Sequence, residues 1–251
     1  MKIKCSVFLT TAVVALLAIS IPVHASRIDD ERTELSAKQS YVFKTYLQAD
    51  DIKIQSMDGV VTLTGTVSEE SHRSLAQETV ADLPGVKTID NGLEVKGERP
   101  AENSDLWLTT KVKTMLLFHR NVSAMTDVNT KDGIVTLRGE ATSQAQKDLT
   151  AEYAKDVEGV KDVKNEMTVT KTVKKTQTVV EKIDDASITA LVTMTLFYHR
   201  STSALKTSVT TKNGVVTLSG KAKNAAEKDL AGKLANDVNG VMEVKNLMTI
   251  G

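Results

Sequence analysis

Cysteine is nearly absent from this chain, an excess of one charge is absent, and so is any cluster of catalytic side chains. A single cysteine, Cys5, stands among 251 residues, so no disulfide can close within the chain and cysteine redox chemistry is excluded. Lys and Arg number 32 against 32 for Asp and Glu. Without a basic surplus the chain is not composed as a nucleic-acid binder. The longest uncharged apolar run, Val7 to Ile21, has 15 residues, short of the roughly 20 that a spanning helix needs. Of four histidines, His119 and His199 hold matching places in two repeats, each with no second His, Cys or clustered carboxylate at ligand spacing, so no metal site is expected. No serine sits in a nucleophile elbow, and no glycine-rich loop is arranged to cradle phosphate. Neither an enzyme nor a cofactor is expected.

The N-terminus carries a different signal. Lys2 and Lys4 precede the apolar run, and "VHA" follows it; this is the pattern of a secretory signal peptide, residues 1–25, cut after Ala25. Cys5 lies at the front of the run and not at the cleavage point, where a lipid-anchoring signal would require it. Removing the two signal lysines leaves 30 basic against 32 acidic residues. An exported chain without disulfides must be held by apolar cores alone.

What the remainder has in abundance is itself. "KNGVVTLSG" (Lys212 to Gly220) is nearly repeated by "KDGIVTLRG" (Lys131 to Gly139) and "MDGVVTLTG" (Met57 to Gly65). A later Gly-Val follows each turn glycine at a spacing of 26 residues: Gly59 to Gly85, Gly133 to Gly159, Gly214 to Gly240. Lys131–Val169 and Lys212–Ile250 share 21 identities over 39 ungapped positions. Three tandem copies of one unit follow, the first the most divergent.

Within a unit the hydrophobic period changes twice. Asp132-Gly133 and Asn213-Gly214 reach positive φ cheaply and predict two-residue hairpin turns. Beyond the turn Val61 and Leu63, Val135 and Leu137, and Val216 and Leu218 alternate onto one buried sheet face. Leu75, Thr79 and Leu83, with their counterparts Leu149, Tyr153 and Val157 and Leu230, Leu234 and Val238, then recur every four residues, which predicts an amphipathic helix. A glycine closes it, and a last strand follows. Leu108, Val112 and Leu116, and Ile188, Val192 and Leu196, predict a first helix ahead of the hairpin. The expected fold class is α+β: three tandem small αββαβ domains, each with two helices packed on one face of a three-stranded mixed sheet. The expected boundaries are 34–97, 105–170 and 184–251, with a linker at 98–104 and a basic linker at 171–183.

An apolar helix, the hairpin phrase, an Ala-rich helix and the ending "GV..V.N.M.V" together resemble the BON domain, over roughly Glu34 to Gly251. The resemblance implies a non-enzymatic periplasmic protein, tied to envelope integrity under osmotic stress and contacting phospholipid surfaces. It also implies, as an alternative, a chaperone holding unfolded periplasmic proteins.

The local feature that invites a site is "LLFHRNVSAM" (Leu116 to Met125) beside "LFYHRSTSAL" (Leu196 to Leu205). In one reading Phe118, Phe197 and Tyr198 insert at a bilayer headgroup level while Arg120 or Arg200 meets phosphate and His119 or His199 strengthens the contact on protonation. In the other, the aromatics complete the core and His-Arg merely ends a helix, where positive charge is favoured. Copy one has "VFKTYLQADD" (Val42 to Asp51) at that place, without His-Arg. Acidic against basic counts run 10 to 6, 10 to 10 and 6 to 8 through the three copies, so the third copy and the linker lysines Lys171, Lys174, Lys175 and Lys182 are the expected face toward an anionic membrane.

Overall fold

A computed structural model describes residues 23–97, 101, 104–122, 126–170, 182–202 and 207–251, with side chains from Asp29 onward. The expected signal segment up to residue 22, and Lys171, Lys174 and Lys175 of the basic linker, lie outside the described residues. Copy one comprises α1 (Val23–Gln39), α2 (Tyr41–Thr45), β1 (Asp51–Met57), β2 (Val60–Val67), α3 (Glu70–Ala81) and β3 (Thr88–Val95). Copy two comprises α4 (Asp105–Phe118), β4 (Thr126–Lys131), β5 (Ile134–Ala141), α5 (Gln144–Lys155), β6 (Asp162–Asn165) and β7 (Thr168–Val169). Copy three repeats it as α6 (Asp185–Tyr198), β8 (Thr207–Lys212), β9 (Val215–Ala222), α7 (Ala225–Asn236), β10 (Glu243–Asn246) and β11 (Thr249–Ile250). The class is α+β, as the periodicity predicts.

Each hairpin turns through two residues at positive φ, for example Asn213 at 51° and Gly214 at 74°, the type I′ geometry whose twist matches the strands it joins. A carboxylate holds each turn. Asp30 accepts from the N–H groups of Asp58 and Gly59 at 2.9 and 3.3 Å. Asp105 does the same for Asp132 and Gly133 at 2.8 and 2.9 Å, and Asp185 for Asn213 and Gly214 at 2.7 and 2.8 Å. In copy one this clamp sits ahead of Glu34, so the working part of its helix begins earlier than the expected boundary.

The second strand of each hairpin is central, with the first antiparallel on one side and the last parallel on the other. In copies two and three the last strand is broken into two short pieces, giving four-stranded sheets. An asparagine stands at the junction. Asn165 Oδ1 accepts from the Met167 N–H at 3.2 Å while its amide donates to the Lys147 carbonyl of α5 at 2.7 Å. Asn246 repeats the arrangement with Met248 and Lys228. In copy one Asn91 makes the same bonds with Leu93 and Arg73, but Gly92 follows it and pairing with β2 runs unbroken.

The three units share one apolar core. Leu63, Leu137 and Leu218 are fully buried under their own helices, each contributing about 2 kcal/mol by removal from water. α6 is different in kind: between Ala186 and Tyr198 only Thr193 and Phe197 escape burial. A helix apolar all round is a core helix, and α6 packs against α3 of copy one, α4 of copy two and its own α7.

Candidate functional site

Copies two and three meet through the His-Arg segments, and they do so reciprocally. The Arg120 N–H donates to the Asp237 carbonyl at 3.1 Å, and the Asn239 N–H to the Phe118 carbonyl at 2.9 Å. Across a local pseudo-twofold, the Arg200 N–H donates to Asp156 at 3.0 Å and the Glu158 N–H to Tyr198 at 3.2 Å. The end of each first helix is thereby bridged to the turn after the second helix of the other copy. The Arg120 guanidinium reinforces one side by donating to the carbonyls of Asn236, Val238 and Val241 at 2.6, 2.9 and 2.8 Å. Arg200 is looser, reaching Val160 at 3.4 Å and the Asp156 carboxylate at 3.9 Å.

This geometry corrects the expectation of a lipid-facing edge for most of its residues. Phe118 is 1% exposed, and Tyr198, His119 and His199 are buried as well. Phe118 meets Tyr46 of copy one edge-on at 5.5 Å between ring centroids. His119 stacks on Tyr153 at 3.8 Å, and the Tyr153 hydroxyl donates to Asp237 at 2.6 Å. Burial lowers the His119 pKa to about 4, offset in part by Asp237. His199 is lowered for the same reason, with Asp156 opposing. Its Nδ1 accepts from the Ser201 N–H at 3.1 Å, which leaves the proton on Nε2, 3.6 Å from Asp156. Both imidazoles are neutral at neutral pH, so neither supplies a cation to a phosphate. Lys111 bridges units too, its Nζ 3.8 Å above the Trp107 ring of its own copy and 5.1 Å from the Tyr198 ring of copy three.

Of the expected contact residues, Phe197 alone among the aromatics is open, at 51% exposure. It stands between two clefts. One, of about 470 Å³, runs between α3 and β8 over α6; the other, of about 390 Å³, lies toward Trp107, Lys111 and Glu158. Lys174 and Lys175 are not among the described residues, nor does any group of three or more metal-ligating side chains occur among those described.

A surface that the periodicity did not point out lies on the last strand of copy three. Met242 just ahead of β10, Leu247 between β10 and β11, and Ile250 in β11 are 79%, 65% and 59% exposed, with Glu243 and Lys245 exposed between the first two. Lys221 of the neighbouring β9 lies against Gly251. Copy two carries Lys161 and Glu166 where copy three has Met242 and Leu247; that difference between matched positions of the repeats was the readable signal.

Comparison with known proteins places these features in a family. Residues 29–97, 104–171 and 184–251 each match the model of the BON domain. The chain is 32% identical over 145 residues to the osmotically-inducible protein Y of Escherichia coli, covering 56% of this chain and 72% of that protein. To the outer membrane lipoprotein DolP of Haemophilus influenzae it is 31% identical over 157 residues, covering 61% and 80%. To a 21 kDa hemolysin of Actinobacillus pleuropneumoniae it is 32% identical over 143 residues, covering 55% and 73%.

Proposed function

Because this chain belongs to the BON-domain family, in three copies, we propose that it is a non-enzymatic protein of the bacterial envelope that serves under osmotic stress and rests peripherally on phospholipid surfaces. The names of its relatives, an osmotically inducible protein and an outer membrane lipoprotein, support the setting. Among the described residues no helix is long and apolar enough to cross a membrane. The observation that carries the lipid reading is the exposure of Met242, Leu247 and Ile250 at the β10–β11 edge of the copy-three sheet, where Lys245 and Lys221 are exposed as well. Apolar side chains of this kind enter the headgroup boundary, while lysines favour an anionic surface. The copy-two residues at the same places define the test. In vesicle sedimentation, Met242→Lys with Leu247→Glu should lower affinity for anionic vesicles more than tenfold, since two inserted side chains contribute about 1.5 kcal/mol each. Unchanged sedimentation would sink the reading. A second reading, the holding of unfolded client chains, is supported by Phe197 standing open between two clefts. Suppression of aggregation of a reduced, unfolded client measures it.

A further inference from the structure

The joint between copies two and three buries an imidazole beside each of its two backbone bridges, and neither ring is placed to carry a charge. His119 pairs with Val238 in one bridge and His199 with Val157 in the other. Both rings are 3% exposed. Neither nitrogen of His119 makes a hydrogen bond among the described residues. Its ring lies on Tyr153 of α5, with Asp237 after α7 and His199 after α6 facing it. Arg120 and Asp156 approach from the far side of Tyr153. Asp237 is already occupied, accepting from the Tyr153 hydroxyl at 2.6 Å. His199 faces Asp156 after α5 and its own neighbour Arg200. Its Nε2 stands 3.6 Å from the Asp156 carboxylate, beyond hydrogen-bond reach.

A proton acts differently on the two rings. On His119 it creates a desolvated cation with no bonded acceptor, so the ring must turn toward water and leave Tyr153. On His199 it takes the Nδ1 lone pair that accepts from the Ser201 N–H at 3.1 Å and sets two N–H groups against each other. Either movement pulls on the amides that cross the joint, those of Arg120, Glu158, Arg200 and Asn239. Copy one is held otherwise, with the Val42 N–H donating to the Ser187 hydroxyl of α6 at 3.1 Å and α3 packed along α6.

We propose that this joint is an acid-released latch: protonation of His119 and His199 opens the crossed backbone bridges between copies two and three while the core around α6 keeps the three copies together. Such opening is sub-global, limited to two helix ends and two turns. The device stands apart from both the lipid and the client-holding readings. Its closed state loses stability as pH falls, because the closed pKa of His119, about 4, lies below the ~6.5 of an exposed imidazole. From that difference alone, opening should rise about fiftyfold between pH 7 and pH 4.5. The Arg200 side is the weaker, since its guanidinium has one long carbonyl contact where that of Arg120 has three short ones.

Amide exchange of the whole chain, resolved by NMR at pH 7 and pH 4.5 and scaled to an unstructured chain at the same pH, tests the latch at the four crossing amides. Protection there should fall at least tenfold on acidification, and Glu158 and Arg200 should be less protected than Arg120 and Asn239 at both pH values. All four should stay less protected than the central-strand amides of Leu137 and Leu218. The double variant His119→Phe, His199→Asn keeps a ring on Tyr153 and an acceptor for the Ser201 N–H but does not titrate, and should hold its pH 7 protection at pH 4.5. Unchanged protection in the parent chain would overturn the proposal, as would an equal fall in the double variant. Crossing amides as protected as Leu137 and Leu218 at pH 4.5 would also overturn it, since the whole chain would then be opening at once. Should the variant not fold, the parent's imidazole resonances decide: protonation of His119 accompanied by loss of crossing-amide protection upholds the latch, and protonation without that loss sinks it.

Discussion

The carboxylate of Asp105 receives two turn N–H groups, and this lowers its pKa, with Gly133 and Asp132 as the main donors and Lys161 and Lys131 assisting. A group whose folded pKa is depressed contributes stability above its unfolded pKa and loses it as pH falls toward the folded value. Asp105→Asn should therefore lower the melting temperature at neutral pH, and the gap from the parent should close on acidification below pH ~4. His119 acts in the same direction at higher pH. Folded, it stays neutral down to about pH 4, whereas the unfolded chain takes up a proton near pH ~6.5. Between those values the unfolded state binds more protons, so stability falls as pH falls, by up to about 3 kcal/mol from this residue. His119→Phe keeps a ring on Tyr153 and removes the titration; urea unfolding from pH 7 to 4.5 should show a flatter profile for it. Protonation therefore works against the joint, opposite to the expected strengthening of a phosphate contact. These residues were unevenly legible. Val135 and Leu137 declare themselves by alternation, whereas the clamp role of Asp30, Asp105 and Asp185 depends on a contact 27 or 28 positions away. Its signal was present as an aspartate recurring at that distance ahead of every turn.

At the scale of elements, local chemistry carried the reading furthest. Hairpins, the glycine-ended helices and the last strands all follow from neighbours within a few residues, and all are found. The joint between copies two and three was out of reach because it pairs positions such as Arg120 and Asp237, far apart in the chain. His-Arg at a helix end looks the same from its neighbours whether water, lipid or another domain faces it. The two sides of the joint are not equal, and this can be measured. Arg120→Ala strips three carbonyls of a charged donor and should cost roughly 2 kcal/mol in urea unfolding. Arg200→Ala, with one long contact and a half-exposed ion pair, should cost less than about 1 kcal/mol. Within α6, the Thr195 hydroxyl is fully buried without a hydrogen-bond partner among the described residues. Thr195→Val fills the same space and should raise stability by about 1 kcal/mol, visible as a higher midpoint at unchanged slope.

For the whole molecule, the question is whether three repeats make three domains or one. Each copy has its own pattern and linkers separate them, which predicts tethered units. The signal against that was available in α6, where "ASITALVTMTLFY" carries no charge between Asp185 and His199, while α4 carries Lys111 and Lys113. A unit whose first helix has no polar face cannot stand alone in water without exposing it. α6 instead touches the other two copies, Asp184 at its start accepts the Tyr41 N–H of copy one at 2.7 Å, and the core is continuous. Folding should then be cooperative across copies. Leu191 is fully buried in α6, and Leu191→Ala should cost about 3 kcal/mol. The sole tryptophan, Trp107, belongs to copy two and reports on it by fluorescence, while far-UV circular dichroism averages over all three. In one cooperative molecule the substitution in copy three shifts both midpoints together and by the same amount. In independent domains the Trp107 transition would stay where it was while the dichroism curve split, and the shared core would then contribute little to holding the copies together.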